Sequence, residues 1–159
     1  MKLTFESNLA YQQEAIQAVV NLFEGQMSEE SGCQYSLNEN GVLDLIAGIG
    51  NRLVLSKEQI LANLQKVQQQ NNILCSDTLE DMHFSIEMET GTGKTYVYLR
   101  TIYELNKKYG FKKFVIVVPS VPIREGVLKN LQITHEHFQT LYDNTPVRFY
   151  VYDRNKISQ

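Results

Sequence analysis

A short stretch in the middle of the chain combines residue types that bind phosphate groups. Phe84, Ile86 and Met88 alternate as in a β-strand, and the sequence Thr-Gly-Thr-Gly-Lys-Thr follows at residues 90–95. Two glycines allow the backbone N–H groups of a turn to point inward at an anion. A helix that begins at Lys94 would direct the positive end of its dipole at the same anion. The spacing therefore predicts a phosphate-binding loop between a strand and a helix.

The side chains of this loop indicate a nucleotide and Mg²⁺ as its ligands. Lys94 would contact the β- and γ-phosphates, and the Thr95 hydroxyl would ligate Mg²⁺, which makes both of them candidate catalytic residues. The general pattern has a glycine where this chain has Met88, so a glycine turn with an incidental lysine is the alternative. The residues predicted to contact ATP or GTP here are Thr90, Gly91, Thr92, Gly93, Lys94 and Thr95.

The composition is typical of one soluble globular protein. With 159 residues, of which 43% are hydrophobic and 21% charged, the chain can bury one core. No apolar run is long enough to cross a membrane, and the N-terminus lacks the apolar segment of a signal peptide. Cys33 and Cys75 are the only cysteines and have no metal-ligand spacing, so we expect a reduced, cytoplasmic setting.

Charge is distributed unevenly along the chain. The net charge is −3, yet residues 1–93 hold four Lys/Arg against thirteen Asp/Glu, and residues 94–159 hold eleven against five. A basic second half could face the phosphates of a nucleotide and of nucleic acid. The alternative is that the four lysines between residues 107 and 113 only solvate a helix end and the start of a strand.

The order of the predicted elements indicates an α/β fold. Ser7 or Asn8 would cap a first helix that runs to about Glu24. After Lys94 the predicted elements are a helix to residue 110, a strand at 114–118, helices at 123–131 and 134–141, and a strand at 147–152. Because residues 114–118 are apolar throughout, this strand should be buried on both faces, as in a parallel sheet. Alternating strands and helices form the doubly wound pattern.

Residues 26 to about 80 differ from the rest of the chain. They are acidic or rich in amides, and they are predicted to form an insertion between the first helix and the strand before the phosphate-binding loop. Within them, residues 35–37 and 41–46 are predicted to pair as a hairpin. Ser56 and Gln59 have the spacing of a capping box, which predicts the start of another helix.

Gln12, far upstream of the loop, is a candidate contact to the base of the nucleotide. A glutamine amide offers both donors and an acceptor, which suits the N6/N7 edge of adenine. A glutamine in the first turn of a helix is otherwise usually just exposed. The prediction therefore depends on the loop at residues 90–95 lying close by.

Ser120 and Arg124 are candidate contacts to the phosphates of nucleic acid. They follow the predicted strand at 114–118, at the end of the sheet where α/β proteins bind ligands. Together with the backbone N–H groups of the next helix they could hold a phosphate. The alternative is an ordinary helix start marked by Pro119 and Pro122.

An acidic residue that would hold Mg²⁺ and orient water is hard to find in this chain. Nucleotide hydrolysis needs such an acid at the end of an apolar strand. Asp153, after the predicted strand at 147–152, is the only candidate, and Arg154 follows it. We therefore expect the acidic motif beyond Gln159. His135 and His137 are two residues apart, so on a helix they cannot share a metal ion.

Three segments resemble the opening of the restriction (Res) subunit of type III restriction-modification enzymes. They are METGTGKT at residues 88–95, LAYQQEAI at 9–16 and VVPSVPIREGVLKNL at 117–131, and the likeness extends to residues 49–73. Those subunits are superfamily 2 helicase-like proteins. The resemblance implies that residues 1–159 are an incomplete first RecA-like P-loop lobe of the motor, with the insertion at about 26–80. It also implies that Gln12 senses adenine, that residues 91–95 are motif I, and that residues 119–126 are the DNA-contacting motif Ia.

The same resemblance implies a function for the complete protein. It would be an ATP-dependent type III site-specific deoxyribonuclease that requires Mg²⁺, moves or switches on double-stranded DNA, and cuts it. A modification (methyltransferase) subunit would supply sequence recognition. The later helicase motifs, the arginine finger and the nuclease site have no counterpart here, so we expect this chain to be inactive by itself. The alternatives are a type I restriction motor subunit and a stand-alone nucleotide-binding regulatory module.

Overall fold

Four helices and one short pair of strands make up the part of the chain that the structure describes. This computed structural model describes residues 5–27, 36–37, 43–44 and 51–152. In chain order the elements are α1 (Ala10–Asn21), β1 (Ser36–Leu37), β2 (Leu43–Asp44), α2 (Lys57–Gln70), α3 (Lys94–Tyr109) and α4 (Val121–Leu141). None of the helices in these ranges is both long enough and apolar enough to cross a membrane.

Helix α3 lies at the centre of the fold, and its two ends confirm the prediction. Gly93 precedes it with φ +84° and Gly110 follows it with φ +72°, a backbone conformation that glycine adopts without strain. Two buried clusters pack on α3. The first, shared with α1, contains Ile16, Val20, Val97, Leu105, Tyr109 and Phe111. The second, shared with α4, contains Tyr96, Leu99, Tyr103, Phe138 and Tyr142.

Two local predictions within residues 26–80 are confirmed. Strands β1 and β2 pair antiparallel, with Leu37 opposite Leu43, as expected for the hairpin. At the start of α2, Gln59 N donates to Ser56 Oγ at 3.3 Å and Ser56 N donates to Gln59 Oε1 at 2.9 Å. These reciprocal bonds satisfy two backbone donors that have no partner within the helix.

Two helix boundaries differ from the prediction. Residues 123–131 and 134–141 belong to one helix, α4, because no glycine or proline separates them. The Thr134 hydroxyl, which could compete with the helix, instead donates to the Asn130 carbonyl within it. Pro122 is accommodated in the first turn, where its missing N–H costs no hydrogen bond. Helix α1 begins after Leu9 rather than after Ser7 or Asn8, has no side-chain cap, and ends at Asn21.

The predicted parallel sheet is not present, and the assignment to a RecA-like α/β fold is wrong for the described residues. Residues 84–88, 114–118 and 147–152 form neither strands nor helices. Among the residues that the structure describes, the β1–β2 pair is the only sheet. The chain here is instead a helical unit with three irregular segments lying on it.

Exposure on one side explains why these three segments differ from the prediction. Met88, Phe114 and Val147 pack against the helical clusters. In the second and third segments the alternate side chains Val115, Val117, Tyr150 and Tyr152 are 79% to 88% exposed, and in the first segment Ile86 is 49% exposed. A parallel sheet is stable where helices cover both of its faces. Helices contact only one side of these segments, so the cover on both faces that a parallel sheet requires is missing.

Side-chain amides attach the segment that follows the hairpin to the rest of the fold. Gln26 Nε2 donates to the Arg52 carbonyl at 3.0 Å, and Val54 N donates to Gln26 Oε1 at 2.9 Å. Asn63, which is buried on α2, donates to the Leu22 carbonyl at 3.1 Å after the end of α1. These bonds pair backbone groups that lie outside regular elements. The amide side chains of this region therefore have a structural role. That residues 26 to about 80 form an insertion stays a prediction.

Candidate nucleotide-binding site

The glycine loop, defined as residues 90–93, closes on the carbonyl of the residue before it. Thr92 Oγ1 donates to the Glu89 carbonyl at 2.7 Å, and Lys94 Nζ donates to the same oxygen at 3.0 Å. Gly91 and Gly93 both have φ +84°, as a loop that turns its N–H groups inward requires. Lys94 keeps two further donors on its ammonium group. The loop can therefore present backbone and side-chain donors to an anion.

Gln12 contacts this loop although 80 residues separate the two in sequence. Its Nε2 donates to the Thr92 carbonyl at 2.9 Å, and only 6% of the residue is exposed. A Cβ atom added to Gly93 would lie 2.8 Å from Gln12 Nε2. The absence of a side chain at Gly93 therefore allows the amide to approach the loop. The structure brings together the two sequence features that the prediction had linked.

A cleft of about 580 Å³ opens beside the glycine loop. Its volume lies within the range of small-molecule sites. A Cβ atom on Gly91 would meet nothing within 4 Å, so the loop borders open space at this point. The predicted nucleotide contacts that line the cleft are Gln12, Thr90, Gly91, Gly93, Lys94 and Thr95. Thr92 takes part through its carbonyl bond to Gln12.

An aromatic wall of the cleft was missed by sequence reasoning. Phe5 stacks on Tyr96 of α3 with ring centroids 6.1 Å apart and an angle of 13° between the planes, and both residues line the cleft. Asn130, on α4, also lines it. No motif or periodicity relates these three positions, because they belong to separate parts of the chain. Only the packing of α3 against α4 and the N-terminal segment brings them together.

His137 supports this wall from α4. Its Nε2 lies 2.9 Å from Tyr96 Oη, and its ring packs against Phe5 with centroids 5.1 Å apart. Burial, and then the nearby charge of Arg100, lower the pKa of His137. The imidazole is therefore neutral near pH 7, and Nε2 can accept the proton of the Tyr96 hydroxyl. His137 thus contributes to the packing and hydrogen bonding of the aromatic wall.

Arg100 holds the N-terminal segment of the cleft in place. It is 7% exposed, its Nε donates to Tyr142 Oη at 3.1 Å, and its Nη1 donates to the Ser7 carbonyl. The Tyr142 hydroxyl in turn donates to Glu104 Oε1 at 2.6 Å. Burial, together with the Glu104 carboxylate, raises the pKa of Tyr142 far above its ordinary value. A buried arginine therefore joins α3, α4 and the segment that contains Phe5.

The residues at the cleft fit a Mg²⁺ ion that is carried by phosphate. Thr95 supplies one hydroxyl, and Glu6 is the only acidic residue among the cleft's lining. No group of three or more His, Cys, Asp or Glu residues gathers anywhere in the described ranges. Mg²⁺ is commonly bound by few protein ligands together with substrate phosphates. Asp153, the other candidate ligand, lies outside the described residues.

Ser120 and Arg124 lie at the start of α4 and are not among the residues that line the cleft. Ser120 precedes the helix in extended conformation, and its side chain forms no capping bond. The Arg124 guanidinium donates to Glu125 Oε1 at 2.9 Å and 3.1 Å, in an exposed pair. Exposed pairs of this kind are weak, so Arg124 can exchange Glu125 for another anion. The predicted DNA contacts therefore do not take part in lining the cleft.

The glycine loop is held by a distant glutamine and lies beside a cleft at the start of a helix, where backbone donors can face an anion. A sequence profile of the family described as "Type III restriction enzyme, res subunit" matches residues 7–157. The matched range includes Gln12, the glycine loop and the start of α4. This chain belongs to that family.

Individual members of the family are similar over nearly the whole chain. The EcoPI Res subunit of Escherichia phage P1 is 34% identical over 158 residues, and the EcoP15I Res subunit of Escherichia coli is 35% identical over 161 residues. Each alignment covers 96% of this chain and 15% of the relative. The StyLTI Res subunit of Salmonella typhimurium matches a shorter part, 46% identical over 77 residues, which covers 46% of this chain and 8% of the relative. The chain thus spans about 15% of the length of the first two relatives.

Proposed function

We propose that this chain is the ATP- and Mg²⁺-binding part of the motor domain of a type III restriction endonuclease subunit. On this proposal residues 1–159 form the first part of that motor, with an insertion at about residues 26–80. The observation that carries the proposal is the bond from Gln12 Nε2 to the Thr92 carbonyl, at 2.9 Å. It joins the proposed base contact to the proposed phosphate contact at one cleft.

Each residue at the cleft has a chemical role in this proposal. The N–H groups of the glycine loop donate to phosphate oxygens, and Lys94 adds a positive charge beside them. Gln12 uses its remaining donor and acceptor for the edge of adenine. The Thr95 hydroxyl holds Mg²⁺ against the nucleotide. When bound, Mg²⁺ neutralises negative charge on the phosphates.

The proposal is tested by removing the charge of Lys94. Lys94→Ala removes the ammonium group but leaves the glycine loop, so the affinity for ATP should fall while the affinity for adenosine stays the same. Isothermal titration of this chain with ATP and with adenosine measures both. Equal ATP affinities of the two proteins would overturn the assignment of the loop to phosphate binding.

Lys108→Ala is the matched control for Lys94→Ala. Lys108 is exposed near the other end of α3, roughly 21 Å along the helix from Lys94 at the usual rise per residue. The substitution removes the same charge from the same helix. ATP affinity should be unchanged in this variant, which separates a local contact from an effect of net charge.

The activity proposed for the complete protein follows from the family. The similar proteins are named as subunits of restriction-modification enzymes. On this basis the complete protein couples ATP hydrolysis to translocation or switching on double-stranded DNA and to DNA cleavage, and it works with a modification (methyltransferase) subunit in the cytoplasm. Ser120 and Arg124 would contact DNA phosphates, and the exposure of the Arg124 side chain supports this.

A further inference from the structure

Tyr98, on α3, has a buried hydroxyl without a hydrogen-bond partner. Its Oη is enclosed by protein, and no described atom forms a hydrogen bond with it. A buried hydroxyl that lacks a partner is costly, and phenylalanine would fill the same space without that cost. The group therefore requires an explanation beyond packing.

The position of Tyr98 on the helix brings it to Thr95. The two residues are three positions apart, and helical side chains lean towards the N-terminus, so the Tyr98 ring leans over the turn that carries Thr95. Burial raises the pKa of Tyr98, and the Thr95 hydroxyl opposes part of that rise. The Tyr98 and Thr95 hydroxyls nevertheless do not have the geometry of a formed hydrogen bond. The two hydroxyls are therefore neighbours that are not yet paired.

The chemistry of a threonine ligand supplies the missing partner. A hydroxyl has one hydrogen and two lone pairs, and the oxygen uses a lone pair when it ligates a cation. Its hydrogen must then point away from the cation, towards an acceptor. The Tyr98 oxygen is buried and has no hydrogen-bond partner, so its lone pairs are available. Contacts of this kind orient metal ligands in many proteins.

We propose that Tyr98 is a positioning residue that orients the Thr95 hydroxyl towards Mg²⁺ by accepting its hydrogen. Tyr98 is not among the residues that line the cleft, so it acts through Thr95. This inference rests on the proposed function, because it requires that Thr95 faces the metal of a bound nucleotide.

The test compares ATP affinity with Mg²⁺ and with a chelator. Titration calorimetry on this chain gives the Mg²⁺-dependent gain in affinity for the wild type, Tyr98→Phe, Thr95→Ala and the double variant. Tyr98→Phe should keep the affinity measured without Mg²⁺ and reduce the gain by about tenfold, the lower end for contacts around a metal ligand. In the Thr95→Ala background, Tyr98→Phe should have no further effect.

Tyr103→Phe is the matched control. Tyr103 is a buried tyrosine on the same helix, five positions further from Thr95, and its substitution should leave the gain unchanged. Thermal unfolding without nucleotide is the second readout. Tyr98→Phe should be at least as stable as the wild type, because it removes an unpaired buried hydroxyl.

The outcomes separate this inference from the function on which it rests. One contrary result is that Thr95→Ala abolishes the Mg²⁺-dependent gain in ATP affinity while Tyr98→Phe leaves it unchanged. This result would overturn the role of Tyr98 but not the proposed nucleotide site. Additive losses from the two substitutions would also overturn it. If ATP affinity shows no dependence on Mg²⁺ in the wild type, the proposed metal site and the role of Tyr98 fail together.

Discussion

Gln12 donates a hydrogen bond to the carbonyl of Thr92, and so ties α1 to the glycine loop. The donor and acceptor are 2.9 Å apart, and the amide is almost fully buried. A buried amide that loses its hydrogen-bond partner lowers the stability of the fold. A substitution in the glycine loop and one in the first turn of α1 should therefore have coupled effects on the free energy of unfolding.

Gly93→Ala should destabilise the chain more than Gly91→Ala does. Both glycines have φ +84°, so an alanine at either position is strained by about 1–2 kcal/mol. At Gly93 the new methyl group would also displace Gln12 Nε2, which lies 2.8 Å from the Cβ position, and would cost about 1 kcal/mol more. Urea unfolding measures the free energy difference between the two variants.

A double variant tests whether Gln12 causes that difference. In a Gln12→Ala background the added methyl group has space, so Gly93→Ala should cost no more than Gly91→Ala. A difference that persists without the amide would show that the loop itself, and not the contact with Gln12, distinguishes the two glycines.

Gln12→Ala should reduce the preference for ATP over GTP. Truncation removes the amide that we propose for the adenine edge, with a loss of roughly 1–3 kcal/mol in ATP binding. Competition titrations with the two nucleotides measure the ratio. Gln13→Ala is the matched control, because Gln13 Nε2 donates to the Ser7 carbonyl and is not among the cleft-lining residues. An unchanged ATP:GTP ratio in Gln12→Ala would remove Gln12 from base recognition.

Arg124→Ala and Ser120→Ala should weaken DNA binding by the full-length subunit at every sequence. Phosphate contacts carry no base information, and each lost contact should also make the salt dependence of binding shallower. Glu125→Gln should instead strengthen DNA binding, because it releases Arg124 from its ion pair and removes a negative charge. Fluorescence anisotropy at several salt concentrations gives both quantities. A loss confined to one DNA sequence contradicts the assignment.

The free energy of unfolding should decrease as the pH falls below about 6.5, the ordinary pKa of histidine. Burial and Arg100 lower the pKa of His137 in the folded chain, so the unfolded chain binds this proton first and is favoured as the pH drops. Urea unfolding across this range measures the slope, and His137→Gln should reduce it. The other two histidines remain in this variant. If the unfolding free energy of the wild type and of His137→Gln changed with pH by the same slope, the lowered pKa of His137 would be contradicted.

This chain should not hydrolyse ATP above background, with or without DNA. Phosphoryl transfer to water needs a carboxylate that holds Mg²⁺ and a positive group on the developing charge, in addition to the glycine loop. Binding that does not favour the transition state does not raise turnover. A phosphate-release assay checks this. Steady activity that disappears in Lys94→Ala would contradict the prediction and would favour Asp153 as the missing acid.

The sequence by itself determined the features that depend on neighbouring residues. Gly93 and Gly110 bound α3, and Ser56 with Gln59 begins α2, because turn geometry and capping are decided within a few positions. The candidate site was partly predictable for the same reason. Glycine and lysine spacing indicated the loop, and amide chemistry together with the likeness to a known family indicated Gln12, which contacts the loop in the structure.

Only the tertiary structure decided which residues complete the cleft and which apolar segments are covered. Phe5, Tyr96 and Asn130 meet because Arg100 and the packing of α3 on α4 hold three distant segments together, and no local pattern encodes such contacts. The apolar run at residues 114–118 predicted a strand buried on both faces, but burial depends on what lies opposite. Helices contact one side of this segment, and on its other side Val115 and Val117 face solvent.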